Sequence, residues 1–348
     1  MAGAAIFVPM KFDPAIRERA KALISTANNI LITNHLNPDG DAMGSALALA
    51  GILKAAGKKT RIVVPNDYPD FLKWIKGSEE VLNYEEHVKE SEALIAESDL
   101  IFHLDYNSLK RSGSLEHLLV DAPARRIMID HHQQPEDFAD LRYSDPSMSS
   151  TCEMIFHFAE ALDYLEYIDK AIAEALYTGL ITDTGSFRFS STTPETHRVA
   201  SFLLERGVES QIVASRVYDS NRPQRLHLLA RMLKKMELIE EYNTVILSLT
   251  EEDMNEFDFQ KGDTEGFVNY GLSIEGVELS VFLYPSHDKV KMSFRSKTNF
   301  DVNVLARTHF NGGGHINAAG GVSHDSIEEN INRLKNVLPH YAEQLRGK

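Results

Sequence analysis

Four short apolar stretches in the first part of the chain, residues 29–34, 60–64, 99–104 and 126–129, each stop abruptly at polar residues. Runs of that length that stay apolar instead of alternating suit strands buried on both faces, the situation in a parallel sheet covered by helices. Residues 41–56, 151–162, 169–181, 196–206 and 210–218 carry apolar side chains at helical spacing. Residues 1–221 therefore read as an α/β domain, a mostly parallel β-sheet with helices on both faces. Residues 222–242 read as a charged, Leu/Met-rich helical linker. Residues 243–348 read as a smaller α/β domain, with strand-like runs at 244–249, 278–284 and 289–295 and a hairpin turn at 285–288. A helix near 302–308, a glycine-rich tract at 311–315 and an amphipathic helix from Ser326 complete it.

Composition narrows the function classes. A formal net charge of −15 over 348 residues argues against coating long duplex nucleic acid, which needs clustered Lys and Arg. An acidic surface is expected to offer no basic track for a long backbone, so anionic substrates should be short and held by local cations. No apolar run approaches the roughly 18 residues of a membrane span, and residues 1–14 lack a signal-peptide pattern. The expected location is the cytoplasm, without membrane contact. The single cysteine, Cys152, agrees with a reducing compartment and reads as helix packing.

Acidic residues and histidines gather where these runs end: His35/Asp39/Asp41, Asp105, Asp130-His131-His132 and Asp183. All four clusters are expected at the carboxyl ends of strands, where sites form in open α/β sheets, although Asp183 also follows the helical stretch 169–181. Gly40 lets the backbone turn between Asp39 and Asp41. Both carboxylates also fit the roles of turn residue and helix N-cap. Met43-Gly44-Ser45 stands at a helix start whose N–H groups suit an anion. Two adjacent imidazoles beside a carboxylate at a strand end are seldom needed for packing, so Asp130-His131-His132 carries the most information. Three glycines, Gly312 to Gly314, allow close backbone approach and N–H contacts to an anion, and His315 and Arg295 add charge. Arg188, soon after Asp183, is a candidate of the same kind. His103, His157, His197, His227, His287, His309 and His324 lack partner motifs and stay unassigned.

In this order the motifs resemble the DHH phosphoesterase superfamily, named for the Asp-His-His at Asp130-His131-His132. Gly312-Gly313-Gly314-His315, with Asn317-Ala318-Ala319-Gly320, resembles the substrate domain of its oligoribonuclease and pAp-phosphatase (nanoRNase) branch. Ser293-Phe294-Arg295-Ser296 and Thr182-Asp183-Thr184-Gly185 are similar to the same branch. Asn311 stands where relatives often carry another glycine. The resemblance implies two divalent metal ions, Mn²⁺ by the oxygen-rich donor set. It gives His35, Asp39 and Asp105 to one and Asp41, Asp105, His131 and Asp183 to the other. His132 would contact the scissile phosphate, Asp130 would orient the imidazoles, and the catalytic set would be His132, Asp105 and Asp130. The implied reaction is hydrolysis of short RNA or of 3′-phosphoadenosine 5′-phosphate (pAp) by a metal-activated water. The alternatives are a linear or cyclic dinucleotide phosphodiesterase, a manganese pyrophosphatase of the same superfamily and a nucleotide-binding module without catalysis.

Overall fold

The apolar runs of the first part pair into one wholly parallel six-stranded sheet in the computed structural model, which describes residues 13–346. Most of the N-terminal stretch read as lacking a signal peptide, residues 1–12, lies outside the described residues, as do 347–348. The strands are β1 (Asn29–Thr33), β2 (Lys59–Val64), β3 (Leu82–Asn83), β4 (Leu100–Leu104), β5 (Arg125–Asp130) and β6 (Leu141–Ser144). Their order is β3-β2-β1-β4-β5-β6. The helices of this unit are α1 (Pro14–Thr26), α2 (Gly40–Ala55), α3 (Val88–Glu97), α4 (Glu116–Asp121), α5 (Thr151–Ala161), α6 (Lys170–Asp183) and α7 (Pro194–Glu205), with α8 (Ser210–Tyr218) at its end.

Both faces of the sheet are covered, which is why the strands do not alternate. Ile30, Ile32, Phe102, Leu104, Ile127 and Ile129 share one core with side chains of α1, α2, α5 and α6. Leu31, Val63 and Ile101 point the other way, to Ile95 of α3 and Leu119 of α4. Strand order reverses between β1 and β4, so the loops leaving these two strands diverge and open a crevice at their carboxyl ends. Helices α2 and α6 meet almost backbone to backbone. A Cβ at Gly44 would lie 2.5 Å from the Ala175 carbonyl oxygen. One at Gly179 would lie 2.2 Å from Cys152 Sγ and 2.7 Å from Asp41 Oδ1.

The chain divides into two compact units, at Val217/Tyr218. Helix α9 (Pro223–Lys234), read from sequence as part of a linker, contributes Leu228, Leu229 and Met232 to a core of the second unit. That unit is built on a mixed six-stranded sheet of order β11-β12-β10-β9-β8-β7. The strands are β7 (Glu237–Ile239), β8 (Thr244–Ser248), β9 (Leu279–Ser286), β10 (Lys289–Ser296), β11 (Gly313–Gly314) and β12 (Ala318–Ser323). Its other helices are α10 (Glu251–Glu256), α11 (Phe267–Leu272), α12 (Val302–His309), α13 (Ile327–Val337) and α14 (Ala342–Leu345). Residues of α12 and α13 pack on one sheet face, those of α9 and α11 on the other. Ser326 caps α13 through a reciprocal bond pair with Glu329. No helix among the described residues is long and apolar enough to cross a membrane.

Candidate metal centre

The loops leaving β1, β4 and β5 bring the sequence-selected acids and imidazoles together at the crevice. His35, Asp39 and Asp41 follow β1, Asp105 follows β4, and Asp130-His131-His132 closes β5. Asp183 arrives differently. It is the last residue of α6, so only three of the four clusters sit at strand ends. The close contact of α6 with α2 carries it in.

Two donor groups carry the expected ligands. His35, Asp39 and Asp105 form one; Asp41, His131 and Asp183 form the other; within each, ligand atoms lie within 4.8 Å of one another. Asp105 spans them. Its Oδ2 is 3.3 Å from His35 Nε2, and its Oδ1 is 3.5 Å from His131 Nε2. His131 Nε2 is also 3.3 Å from Asp183 and 3.8 Å from Asp41. Both rings are held in one tautomer, because His35 Nδ1 donates to the Leu36 carbonyl at 2.9 Å and His131 Nδ1 to that of Met148 at 3.2 Å. Each Nε2 is thereby turned toward the carboxylates, where a divalent cation would take the place of its proton. His132 differs: its Nδ1 lies 2.7 Å from Asp130 Oδ1.

Backbone shape supports this geometry. Asp105 has φ of 63°, the left-handed region, where aspartate is among the side chains that fit best. Asp39 caps α2, its Oδ1 accepting from the N–H groups of Asp41 and Ala42 at 3.0 Å, while its Oδ2 faces His35 at 3.7 Å. Asp41, within α2, in turn caps α5. Its Oδ2 accepts from Thr151 N at 2.6 Å and its Oδ1 from Cys152 N at 2.8 Å. Thr151 Oγ1 also donates to Asp105 Oδ1 at 2.9 Å.

Electrostatically the group is over-charged. Asp41 and Asp105 are buried, Asp183 is partly so, and among the described residues no lysine or arginine lies in ion-pair contact with them. Burial, then the charge of Asp105, pushes Asp41 up to about 7. Burial opposes protonation of His131, but Asp183, Asp105 and Asp41 outweigh it and raise its pKa to about 9. Burial raises Asp183 as well. Asp105 goes the other way, since His35, His132 and His131 outweigh its burial and hold it below the usual carboxylate range. Hard oxygen donors, two oriented imidazoles and an excess of buried negative charge fit divalent cations. The signs give a test. Asp41 and His131 both have raised pKa values, so their contribution to metal-free stability is fully present below the unfolded values of 3.8 and 6.5 and is lost as pH rises through about 7 and about 9. The metal-free protein is expected to lose thermal stability from about pH 4 to 9 through these groups. Cation binding displaces their protons, so apparent affinity should climb over pH 6–9 and calorimetric heats should depend on buffer ionisation enthalpy. Heats independent of buffer would contradict these protonation states.

Some sequence-selected residues lie otherwise than expected. Helix α2 begins at Gly40, so Ser45 is in its second turn, fully buried, and its Oγ donates to the Ala42 carbonyl; it presents nothing to an anion. Arg188 is exposed and donates to the Gly185 carbonyl at 2.7 Å. In the second unit, Arg295 is half-buried on β10 and donates to the Phe294 carbonyl. The glycine N–H groups are largely spent within the chain: Gly312 N donates to the Ala306 carbonyl, Gly314 N to Asn303 Oδ1 and His315 N to the Ala318 carbonyl. The glycines also permit close strand packing, since a Cβ at Gly312 would lie 1.9 Å from the Gly320 oxygen. Sequence reasoning missed Thr151 and Cys152, although Ser150 with Glu153 three residues on is a helix-start signal that could have drawn attention there. It also missed Arg307, whose guanidinium lies within 4 Å of where a Cβ on Gly313 would stand.

Comparison with known proteins finds relatives over most of the chain. Residues 29–180 match the family model described as "DHH family, N-terminal domain", and 241–344 match the "DHHA1 domain". A bifunctional oligoribonuclease and PAP phosphatase, NrnA, of Thermus thermophilus is 33% identical over 303 residues, 86% of each chain. A solved structure of an exopolyphosphatase-related protein from Bacteroides fragilis superposes with a TM-score of 0.90 at 39% identity, over 95% of this chain and 98% of that one. The cyclic-di-AMP phosphodiesterase GdpP of Bacillus subtilis is 28% identical over 96% of this chain, which spans only 52% of that protein.

Proposed function

Because the chain belongs to the DHH phosphoesterase family, we propose that it hydrolyses very short oligoribonucleotides and pAp to mononucleotides. The observation that carries the reading is the Asp105 carboxylate, one oxygen toward each of the two donor groups. His35, Asp39 and Asp105 would hold one divalent cation, and Asp41, Asp105, His131 and Asp183 a second, with Mn²⁺ favoured by mixed carboxylate and imidazole donors. When bound, such ions supply charge neutralisation at a phosphoryl group and make a water molecule acidic enough to attack at neutral pH.

The chain's own residues orient that chemistry. Asp39 and Asp41 are fixed by the helix termini they cap, so their remaining lone pairs have set directions. Burial, then the nearby Arg111 charge, keeps the His132 imidazole neutral, with its Nδ1 bonded to Asp130. A phosphate arriving at Nε2 would draw a proton onto the ring, and Asp130 behind it stabilises that imidazolium. Arg295, the Gly312–Gly314 tract and His315 are proposed to hold the rest of the nucleotide. We place the reaction in the cytoplasm.

Relatedness to GdpP keeps a cyclic dinucleotide phosphodiesterase as the second reading. The deciding assay is turnover by metal-stripped protein, with and without Mn²⁺, of pAp, RNA of two to five nucleotides, a cyclic dinucleotide and pyrophosphate. Mn²⁺-dependent turnover of pAp and short RNA is expected. Turnover of the cyclic dinucleotide alone would replace the proposal by the second reading, and turnover of pyrophosphate alone would overturn both.

A further inference from the structure

Along β10 the alternate residues Lys289, Lys291, Ser293 and Arg295 share one face of the second unit's sheet, and Lys297 extends the pattern just past the strand. The intervening Val290, Met292 and Phe294 enter the core. Four cations in nine residues thus form a stripe on a chain of net charge −15. Lys289 and Lys297 are exposed; Lys291, Ser293 and Arg295 are half-buried.

The two flanks of this stripe differ. On one side, Lys291, Ser293 and Arg295 pair with Val322, Gly320 and Ala318 of β12, small residues except at one end. On the other side the partners are Tyr284, Phe282 and Ser280 of β9, where Ser280 Oγ donates to the Val268 carbonyl of α11. Tyr284, half-buried across from Lys291, stacks on Phe282 with ring centroids 5.1 Å apart and packs near Phe259. Of the neighbouring carboxylates, Glu278 accepts from Thr298, and Asp288, exposed in the turn before Lys289, lies 3.7 Å from His324. Lys297 donates to the Ile274 carbonyl. Lys289 and Lys291 have no ion pair or side-chain hydrogen bond among the described residues. An ammonium half-withdrawn from water without an anion is unfavourable, and burial lowers the Lys291 pKa. A ligand anion would offset that cost.

We propose that this stripe is a track for the phosphate backbone of single-stranded RNA, with Ser293 beside the first phosphate beyond the one nearest Arg295 and Lys291 and Lys289 taking the second and third. Alternate residues on a strand stand about 6.7 Å apart, a repeat commensurate with neighbouring phosphates of an extended single strand. Such a track would be a local exception to the expectation of no basic track, because net charge averages over the whole surface. The inference rests on the proposed RNA substrate and sets how its affinity grows with length.

The test compares the Mn²⁺-loaded full chain with its Lys289→Gln/Lys291→Gln double variant. For pAp and a dinucleotide, KM should be unchanged. For a five-nucleotide RNA it should rise about ten-fold, and the dependence of log KM on log salt should become shallower by about 1.4, two contacts at about 0.7 each. The Lys289→Arg/Lys291→Arg variant should restore both. An equal change on pAp and the five-mer, or none on either, overturns the track. Binding of a phosphorothioate-linked five-mer, read by fluorescence anisotropy, decides the matter even if the wild type hydrolyses no RNA. Equal affinity of wild type and double variant, or competition by polyglutamate as strong as by RNA of the same charge, would also overturn it.

Discussion

Asp105→Ala should lower kcat on pAp and on a dinucleotide by about a thousand-fold or more at saturating Mn²⁺. The reason is the carboxylate's double engagement, with Oδ2 at 3.3 Å from His35 and Oδ1 at 3.5 Å from His131. Removing it leaves both donor groups one oxygen short and strands Thr151 Oγ1, which donates to the same Oδ1. Position 105 also has φ of 63°, so alanine adds backbone strain there that asparagine largely avoids. Asp105→Asn separates the two effects. It should lose nearly as much turnover as the alanine variant while keeping a higher melting temperature. Metal content measured on both variants completes the experiment. If either retained a tenth of wild-type kcat, the spanning role would be wrong.

Gly179→Ala should destabilise the first unit by about 1–3 kcal/mol, the usual cost of overpacking a filled core. The added Cβ would meet Cys152 Sγ at 2.2 Å, Asp41 Oδ1 at 2.7 Å and the Asp41 Cα at 3.0 Å. A rise of one methyl group therefore presses on a proposed metal ligand as well as on packing. Thermal unfolding should show a drop of about 2–10 °C, and Mn²⁺ affinity should fall in parallel. Adding Cys152→Ala should recover part of the stability by clearing the nearest atom, but the Asp41 contact remains and activity should stay low. Full recovery of both would mean that the helix contact and the metal centre are independent.

Much of the first unit was legible because its strands are buried on both faces. Residues 29–34, 60–64, 99–104 and 126–129 read as strands and became β1, β2, β4 and β5 with shifts of a residue or so at their ends. β3, two residues long, and β6, four, are edge strands too short to impose a pattern. Site residues that follow a strand were visible as polar stops after apolar runs. Asp183 was selected for its place in a motif, but its delivery by a helix end depends on the α2–α6 contact, which involves glycines far apart in sequence. Helix α2 was read from residue 41, one residue late, and Ser45 was misjudged because it lies in the second turn with its Oγ donating to the Ala42 carbonyl. The glycine tract was recognised, yet the destination of its N–H groups is a question of strand pairing that local sequence does not answer.

Asp41 belongs to one helix and terminates another, with both of its oxygens accepting from the first turn of α5. A residue with two such duties changes how the chain can drift over evolution. Elsewhere on a surface, an enzyme may shed its chemistry by a neutral substitution and persist as a binding protein. Here, a mutation that removes the carboxylate also leaves two buried N–H groups unanswered at the start of a core helix, a penalty of about 1–3 kcal/mol for each. Selection on folding alone therefore preserves part of the reactive apparatus, and descendants that abandon catalysis should do so first at His132 or Asp183, whose side chains cap no helix.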